Sequence, residues 1–430
     1  MARHEATLAL TAIGAGGLLT SAIAFAATPE TMLPARAEKI PKSYFGLHVH
    51  HPDQVWPSFP FGRLRLWDTG AMWFDLQPGP STWNFDRLDS IVNHALRENT
   101  EVVLPLGMTP AWAASRPSEA SPYGKPGAAS EPADLQVWKN YVRTLAQRYK
   151  GKVHYYELWN EINQGTGFFT GSPDAMLELQ KAAYTTLKEV DLSNQLISPS
   201  CVGESDAQIG WFESYLRKMN GQYADVIGYH FYIPRKSPEA LVPYVSKIRA
   251  LLQQTGNGKL PLWNTESGYR VNFGPQNASG VMSTWPNLDP ALDAAYMVRS
   301  FVLGWTAGLD GFNWYAYDNG IMGMAAHSTS SSPVTEAYAN TEQWLTNSTI
   351  GPCQRSGTTW SCRLYRGDQK YWIAWNEDNG THPWPDLDST HACMVGLMDG
   401  SKGKTEAGKP IIGPMPAVLR DNGEISCPAG

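Results

Sequence analysis

The sequence predicts an α/β fold, a (β/α)8 TIM barrel with a small C-terminal β-sandwich. Eight short apolar strands that end at polar loops, most of them followed by an amphipathic helix, succeed one another across residues 40–349, which matches a barrel in number and length. After Thr349 the pattern changes to short alternating runs separated by turns, which is typical of antiparallel strands. The rival arrangement is an open, doubly wound sheet, but no glycine-rich phosphate-binding pattern follows the first strand.

The barrel strands are predicted from apolar runs that stop at polar loops, at residues 44–51, 61–67, 101–106, 153–161, 195–200, 224–232, 260–265 and 311–316. Helices are predicted where apolar residues recur at helical spacing, at residues 87–97, 134–149, 172–190, 211–219, 238–253, 290–306 and 334–345. Ser172 and Pro173 supply a cap and a first-turn proline for one of them. Residues 113–131 lack periodicity, so we expect a long loop on the carboxyl side of the third strand.

The β-sandwich is predicted at residues 350–430, with part of residues 28–42 as a further contributor. Its strands are expected at residues 360–366, 371–375, 393–397 and 410–419. Four of the five cysteines lie in this part of the chain: Cys353, Cys362, Cys393 and Cys427. Cys353 and Cys362 span a predicted hairpin, which leaves Cys393 for Cys427, although four cysteines allow three connectivities. Cys201 remains, and we expect it to be a buried apolar side chain.

The N-terminal residues 1–27 resemble a secretory signal peptide. An apolar run of small residues follows Arg3 and ends in Ala24-Phe25-Ala26, a typical cleavage pattern. The alternative is an uncleaved membrane anchor, because the run is nearly long enough to span a bilayer. We expect a secreted or periplasmic protein that has no stable membrane association after cleavage. Disulfide bonds are permitted in that setting.

Composition argues against some classes of partner and favours another. The formal net charge is −6 and the chain has no basic block, which argues against nucleic acid. Aromatic residues make up 11% of the chain and include 17 tryptophans, several of them at predicted strand ends. Such rings suit the C–H faces of sugars, although more than half of them must pack in the core.

Two glutamates lie at the ends of predicted parallel strands. Glu161 ends the fourth strand, and Glu266 ends the seventh. Active sites of such barrels lie at the carboxyl ends of the strands, so we expect both carboxylates in one site. One protonated and one ionised carboxylate suit glycosidic bond cleavage, and a separation of about 5–5.5 Å would give retention of configuration. Glu161 is then the acid/base and Glu266 the nucleophile. Taken singly, each could be a loop or surface carboxylate.

Other candidates lie at predicted strand ends and would contact the sugar: Asn160, His230, Tyr232, Arg65, Trp67, His48, Trp112, Asn163 and Trp314. The amide of Asn160 could bind the hydroxyl next to the reacting carbon. A tyrosine hydroxyl near Glu266 would keep that carboxylate ionised.

The histidines His48, His50 and His51 raise the alternative of a metal site. Strand alternation places His50 and His51 on opposite faces, and no carboxylate is placed to complete a ligand set. We therefore predict no metal and no cofactor. A sugar-binding role for His48 is the favoured interpretation.

Several motifs together resemble the large clan of retaining glycoside hydrolases with two glutamates on strands four and seven. These motifs are Arg65-Leu66-Trp67-Asp68, Thr109-Pro110-Ala111-Trp112, Leu158-Trp159-Asn160-Glu161, His230-Phe231-Tyr232 and Trp263-Asn264-Thr265-Glu266. Within the clan the chain looks most like glycoside hydrolase family 39, including its Ser130-Glu131-Pro132 turn. The resemblance implies the same roles for Glu161 and Glu266 and a β-sandwich after the barrel. Ile162 departs from the pattern, since many relatives have proline there, which puts the loop conformation in doubt.

The resemblance, together with the compact length and the export signal, implies a secreted, retaining hydrolase that is endo-acting on a bacterial exopolysaccharide. An exo-acting β-xylosidase or related glycosidase is the alternative, and a non-catalytic carbohydrate-binding protein is the alternative of another class. A groove lined by Trp67, Trp112 and Trp314 would favour endo action, whereas a closed pocket would favour exo action. We expect a monomer whose partner is a polysaccharide or oligosaccharide.

Overall fold

The computed structural model of the protein describes residues 30–164, 167–273, 278, 280–324, 331–385, 392–423 and 427. The predicted signal peptide at residues 1–27 lies outside this range. Across the described residues, no helix combines the length and the apolar character that crossing a membrane requires.

The strands are β1 (Glu30–Leu33), β2 (Phe45–His48), β3 (Arg63–Arg65), β4 (Glu101–Leu106), β5 (Tyr155–Leu158), β6 (Gln195–Ile197), β7 (Cys201–Val202), β8 (Ile227–His230), β9 (Leu262–Ser267), β10 (Arg270–Val271), β11 (Asn287–Leu288), β12 (Gly311–Trp314), β13 (Thr349–Ser356), β14 (Thr359–Arg366), β15 (Gln369–Asn376), β16 (His382–Pro383), β17 (Ala392–Leu397), β18 (Lys404–Glu406), β19 (Lys409–Ile412) and β20 (Ala417–Asp421). The α-helices are α1 (Trp73–Leu76), α2 (Asp86–Arg97), α3 (Leu135–Arg148), α4 (Pro173–Val190), α5 (Asp206–Met219), α6 (Leu241–Gln254), α7 (Pro290–Ala307) and α8 (Pro333–Leu345). Short 3-10 helices lie at Lys42–Tyr44, Pro238–Ala240 and Gly280–Thr284.

The central sheet has nine parallel strands in the order β6-β5-β4-β3-β2-β12-β9-β8-β7. Its two ends, β6 and β7, are consecutive pieces of the predicted fifth strand. The backbone N–H of Ser198, between these pieces, donates to the carbonyl oxygen of Val226 at 2.8 Å. The sheet therefore curls until its ends meet, and helices lie between most of its successive strands. This is a TIM-barrel-like fold, and it brings the carboxyl ends of the strands together.

The helices pack on the sheet through the apolar stripes that the sequence predicts. The buried face of α2 consists of Leu88, Ile91, Val92 and Ala95. Residues at this spacing lie on one side of a helix, so the opposite side can remain polar. Ser172 caps α4 by accepting a hydrogen bond from the N–H of Ala175 at 3.1 Å, and Pro173 occupies the first turn. The predicted cap is confirmed.

Two predicted strands are interrupted, each at proline. The strand predicted at residues 195–200 is divided into β6 and β7, because Pro199 has no N–H to donate to a ladder. The strand predicted at residues 410–419 is divided into β19 and β20 on either side of Pro414 and Pro416. The prediction of one continuous strand was wrong at both places. The other barrel strands lie where the sequence predicts them, with shifted ends.

The C-terminal part contains antiparallel sheets. Six strands form one sheet in the order β1-β13-β14-β15-β20-β17, and three form another in the order β16-β19-β18. Along β15, Ile373 and Trp375 join the main core, whereas Trp372 and Ala374 belong to a second core shared with Ile412 of β19. Because side chains alternate along a strand, the larger sheet can pack on both of its faces. One face lies against the TIM-barrel-like part and the other against the small sheet.

Both expected disulfides are present. Cys353 and Cys362 face each other across β13 and β14, and Cys393 is bonded to Cys427. Cys201 is free and buried, as the sequence predicts.

A buried ion pair joins the two parts of the molecule. Arg299 of α7 is fully buried, and its Nε donates to Glu239 Oε1 at 2.9 Å. The indole N–H of Trp375 on β15 donates to the same oxygen at 2.7 Å. Arg299 Nη1 also donates to the side-chain oxygen of Asn379 at 3.1 Å. The C-terminal sheet is thus connected to the helix that follows β9.

Candidate active site

Glu161 and Glu266 approach each other from two different strands of the central sheet, β5 and β9. Glu161 lies in the loop after β5 and has a left-handed backbone conformation, with φ of 42°. Glu266 lies in β9, one residue before its end. Each of the two glutamates and His230 offers one side-chain oxygen or nitrogen, and these three atoms all lie within 4.8 Å of one another. The two carboxylates are therefore close enough to act on one bond.

The loop after β5 is fixed by bonds to neighbouring strands. The N–H of Trp159 donates to the carbonyl oxygen of Leu106 at 2.8 Å, and the N–H of Ile162 donates to that of Ser200 at 3.3 Å. A proline at position 162 could not make the second bond, because it has no N–H. The departure at Ile162 thus adds an anchor between the loop and the segment that precedes β7.

Glu161 is a buried carboxylate with two polar partners. Gln164 Nε2 donates to its Oε2 at 2.7 Å, and His230 Nδ1 lies 2.9 Å from its Oε1. Burial raises the pKa of Glu161 to about 7, although the Gln164 bond and the Arg65 charge oppose the rise. A carboxyl group with this pKa exchanges a proton near neutral pH, as a general acid/base must.

Glu266 is held by a cation and a hydroxyl. Arg65 Nη1 donates to its Oε2 at 2.8 Å, and the Tyr232 hydroxyl donates to its Oε1 at 2.8 Å. Burial raises the pKa of Glu266 as well, while His230 and Arg65 lower it. The tyrosine bond expected from the sequence is present. Of the two catalytic candidates, Glu266 alone is in direct contact with the arginine, which favours its ionised form.

His230 is neutral at ordinary pH. Burial lowers its pKa to about 4. Its Nε2 is buried with no hydrogen-bond partner. Burying an unpaired N–H is costlier than burying an unpaired lone pair, so we place the ring proton on Nδ1, where it is donated to Glu161.

Arg65 connects the site residues. It is fully buried, with Nε donating to Glu157 and Nη2 donating to Asn160 Oδ1 at 2.8 Å, besides its bond to Glu266. Burial disfavours the charge, but the ion pairs with Glu157 and Glu266 raise the pKa of Arg65 overall. Because arginine only donates, the atom of Asn160 that faces it must be the oxygen. The amide nitrogen of Asn160 is left to donate to a ligand.

Several predicted site residues have other roles in the structure. His48 is fully buried, and its Nε2 lies 3.1 Å from the carbonyl oxygen of Thr265, so it supports β9 from within. Asn163 donates to the carbonyl oxygen of Val202 at 2.9 Å and accepts from the N–H of the same residue at 3.0 Å. These bonds satisfy its amide and fix the loop. Neither side chain is a sugar contact, which corrects the expectation.

The three predicted tryptophans do not line one groove. Trp314 is buried and packs with Phe301 and Phe312, because alternation along β12 places it on the same face as Phe312. Trp67 is buried beside Arg65, with Tyr123 and Phe168 against its ring. Trp112 is half-buried, and its indole N–H donates to the carbonyl oxygen of Gln77 at 2.9 Å. The expectation of a groove lined by these three rings is corrected.

Sequence reasoning gave no role to four residues of the site, namely Glu157, Gln164, Ser200 and Asp68. Asp68 accepts hydrogen bonds from the hydroxyls of Tyr123 at 2.7 Å and Tyr315 at 3.3 Å, and its charge raises the pKa of Glu161. Glu157 could have been noticed, since a carboxylate inside the apolar run of β5 needs a buried partner. Nothing local marks Ser200 or Gln164.

Glu161, His230 and Glu266 also form a group whose atoms could hold a metal ion. The surroundings fit proton transfer better than metal binding. Both oxygens of Glu266 already accept hydrogen bonds, and the Arg65 charge beside them disfavours a second cation.

Comparisons with known proteins find glycoside hydrolases. A family model for glycosyl hydrolase family 10 matches residues 70–181, a range that contains Glu161. A beta-xylosidase from Caldicellulosiruptor saccharolyticus is 27% identical over 184 residues, which are 41% of this chain and 37% of that protein. The chain thus matches little more than a third of the length of this curated relative.

Solved structures are similar over most of the chain. A family 39 glycoside hydrolase from the gut symbiont Bacteroides cellulosilyticus WH2 is 20% identical, with a TM-score of 0.66 over 89% of this chain and 81% of that one. A monomeric beta-xylosidase from Caulobacter crescentus CB15 is 17% identical, with a TM-score of 0.60 over 84% of this chain and 80% of that one. These matches show the fold. The resemblance to barrel glycoside hydrolases close to family 39 is confirmed.

Proposed function

We propose that this chain is a retaining glycoside hydrolase that cleaves O-glycosidic bonds by double displacement. The observation that carries the proposal is the approach of Glu161 and Glu266, whose nearest oxygens lie within 4.8 Å. Retaining enzymes place their carboxyl groups about 5–5.5 Å apart, whereas inverting enzymes need about 6.5–9.5 Å to admit a water molecule. The resemblance to family 39 supports the same mechanism.

The first step forms a covalent glycosyl–enzyme. Glu266, ionised beside Arg65 and Tyr232, attacks the anomeric carbon. Glu161 donates its proton to the leaving oxygen, so that the departing sugar leaves as an alcohol. The pKa of about 7 leaves much of Glu161 protonated in the free enzyme at neutral pH. Asn160, oriented by Arg65, can donate to the sugar hydroxyl beside the reacting carbon.

The second step releases the sugar. Glu161, now ionised, takes a proton from a water molecule, and the oxygen of that water attacks the anomeric carbon. The bond to Glu266 breaks, and its electron pair returns to the carboxylate. The product keeps the configuration of the substrate, because two inversions have occurred.

Azide replacement tests the two roles separately. In Glu266→Gly, azide can enter from the face that the nucleophile leaves open and give a glycosyl azide of inverted configuration. In Glu161→Gly, azide attacks the glycosyl–enzyme from the opposite face and gives a glycosyl azide of retained configuration. An activated aryl glycoside and product analysis by NMR are sufficient. Folded variants that give the opposite pair of products would overturn the assignment, and a parent with no turnover would count against the function.

Endo action on a bacterial exopolysaccharide is the substrate assignment that we propose, on the basis of the resemblance to family 39 and the predicted export signal. The buried positions of Trp67 and Trp314 remove the groove that would have added support. The relatives named as beta-xylosidases favour an exo-acting β-xylosidase as the second candidate. Incubation with xylans and bacterial exopolysaccharides distinguishes the candidates, since endo action gives a ladder of oligosaccharides and exo action gives monosaccharide. Binding without new reducing ends would indicate the non-catalytic alternative.

We also propose the finer architecture and location that the sequence predicts. In this proposal the TIM-barrel-like sheet is a closed (β/α)8 barrel, and the C-terminal sheets form a β-sandwich accessory domain. Residues 1–27 direct export and are then removed, and the mature protein acts as a monomer. N-terminal sequencing of the exported protein and its sedimentation in solution test these points.

A further inference from the structure

Glu157 is a buried carboxylate with no assigned part in the reaction above. It lies in β5, four residues before Glu161, and its side chain is fully buried. Arg65 Nε donates to its Oε2, and the Ser200 hydroxyl donates to its Oε1. Burying an ionised carboxylate is costly unless it is paired and hydrogen-bonded, and this one is both.

Arg65 divides its charge between two carboxylates. Its guanidinium contacts Glu157 through Nε, Glu266 through Nη1 and Asn160 through Nη2. Both Arg65 and Glu157 have no exposed side-chain surface, so water does not screen the pair. The orientation of Arg65 toward the nucleophile and toward the sugar-binding amide therefore depends on Glu157.

The titratable groups that face Glu161 come from four strands: Arg65 and Asp68 from β3 and its end, Cys201 from β7, His230 and Tyr232 from β8 and its end, and Glu266 from β9. Arg65 is the cation of this set, since burial holds the pKa of His230 near 4. Without a second carboxylate on Arg65, its charge would act more strongly on Glu161 and favour the ionised form.

We propose that Glu157 is a positioning residue of the catalytic pair. It fixes the Arg65 guanidinium between Glu266 and Asn160 and offsets its charge, so that Glu161 keeps a proton for the leaving group at neutral pH. This inference rests on the proposed function, because it takes Glu161 as the proton donor. A purely structural Glu157 would affect folding stability and leave the titration of Glu161 unchanged.

Glu157→Gln separates the two roles because it keeps the shape and removes the charge. The glutamine oxygen can still accept from Arg65, and its NH2 can donate to Ser200, whose hydroxyl turns to Thr265 Oγ1 at 2.7 Å. Ser200→Ala is the matched control, since it removes one hydrogen bond to Glu157 and keeps the charge.

The measurement is a carbon-13 NMR titration of protein labelled at the glutamate side-chain carboxyl carbons. The Glu161 signal is the one absent from Glu161→Gln. We expect its midpoint to fall by about one pH unit in Glu157→Gln, the effect of an uncompensated nearby charge, and to stay at the parent value in Ser200→Ala. An unchanged midpoint in folded Glu157→Gln, or an equal fall in Ser200→Ala, would overturn the proposal.

Glu157→Asp provides a second test if the glutamine variant does not fold. It keeps the charge and withdraws the oxygen from Arg65, so kcat should fall about tenfold or more as positioning is lost, with the Glu161 midpoint unchanged. Parental kcat in this variant would contradict the positioning role. The NMR midpoint needs no substrate, so the Glu157 proposal can fail while the parent enzyme hydrolyses glycosides. Absence of hydrolysis by the parent would instead count against the proposed function.

Discussion

Two substitutions beside Glu161 should move the alkaline limb of the pH–activity profile in opposite directions. The limb follows loss of the acid proton in the free enzyme, and it should lie near pH 7 because the pKa of Glu161 is about 7. Gln164→Leu removes a hydrogen bond that lowers this pKa, so the alkaline limb should move to higher pH. Asp68→Asn removes a charge that raises the pKa of Glu161, so the alkaline limb should move to lower pH.

The size of each change follows from the contacts. A hydrogen bond to a charged group contributes about 1.5–3 kcal/mol, and Gln164 is exposed, so water replaces part of the lost bond. The lower end of that range corresponds to about one pH unit. Asp68 acts through its charge and should move the limb down by about one pH unit or less.

The assay is kcat/KM against pH on an unactivated oligosaccharide, whose leaving oxygen requires protonation. A 4-nitrophenyl glycoside is the control substrate, since its leaving group depends less on the acid and its profile should show a weaker alkaline limb. Movement of both variants in the same direction would refute the assignment of Glu161 as the acid with these two neighbours. An alkaline limb at the same pH in the parent and in both variants would refute it as well.

Three further predictions concern stability. Arg299→Leu leaves Glu239 buried without its cation and should lower the free energy of unfolding, measured by urea denaturation, by about 3–5 kcal/mol. The control is Arg217→Leu, which breaks an exposed ion pair and should change the free energy of unfolding by about 0.5 kcal/mol at most. Trp314→Ala should destabilise by about 3–5 kcal/mol through a core cavity, and unchanged KM in the folded variant would separate packing from sugar binding. Cys393→Ser opens the loop closed to Cys427, a sequence separation of 34, and should lower the free energy of unfolding by about 3–4 kcal/mol relative to the oxidised parent protein. Equal stability of the variant and the oxidised parent would contradict this.

The sequence predicted the proposed catalytic pair because the signal is local. Glu161 and Glu266 each follow or end an apolar run, and the carboxyl ends of parallel strands meet at one edge of the sheet. The Tyr232 hydroxyl was found in the same way, from its place after the sixth strand. Arg65 was included among the candidates for its position, and the structure shows what it contacts.

The same local reasoning failed where it had to decide which way a side chain points. A period of two shows that Phe312 and Trp314 share a face of β12, but it does not say which face is toward the helices. Asn163 and His48 lie at predicted strand ends. Only their partners in other elements show that their side chains bind the backbone of Val202 and Thr265. Gln164 and Ser200 carry no local signal at all.

The sequence by itself predicted the class of fold and the two glutamates on which the proposed chemistry depends, and it favoured the two disulfide pairs that the structure contains. These features follow from periodicity, turn composition and position along a strand. Tertiary structure alone decided the electrostatics of the site. Arg65, Glu157, Asn160 and Glu266 come from three different strands, and their shared hydrogen bonds exist only because the curled sheet brings these strands together. Charge and burial act through space, so the proton on Glu161 depends on neighbours distant in the chain.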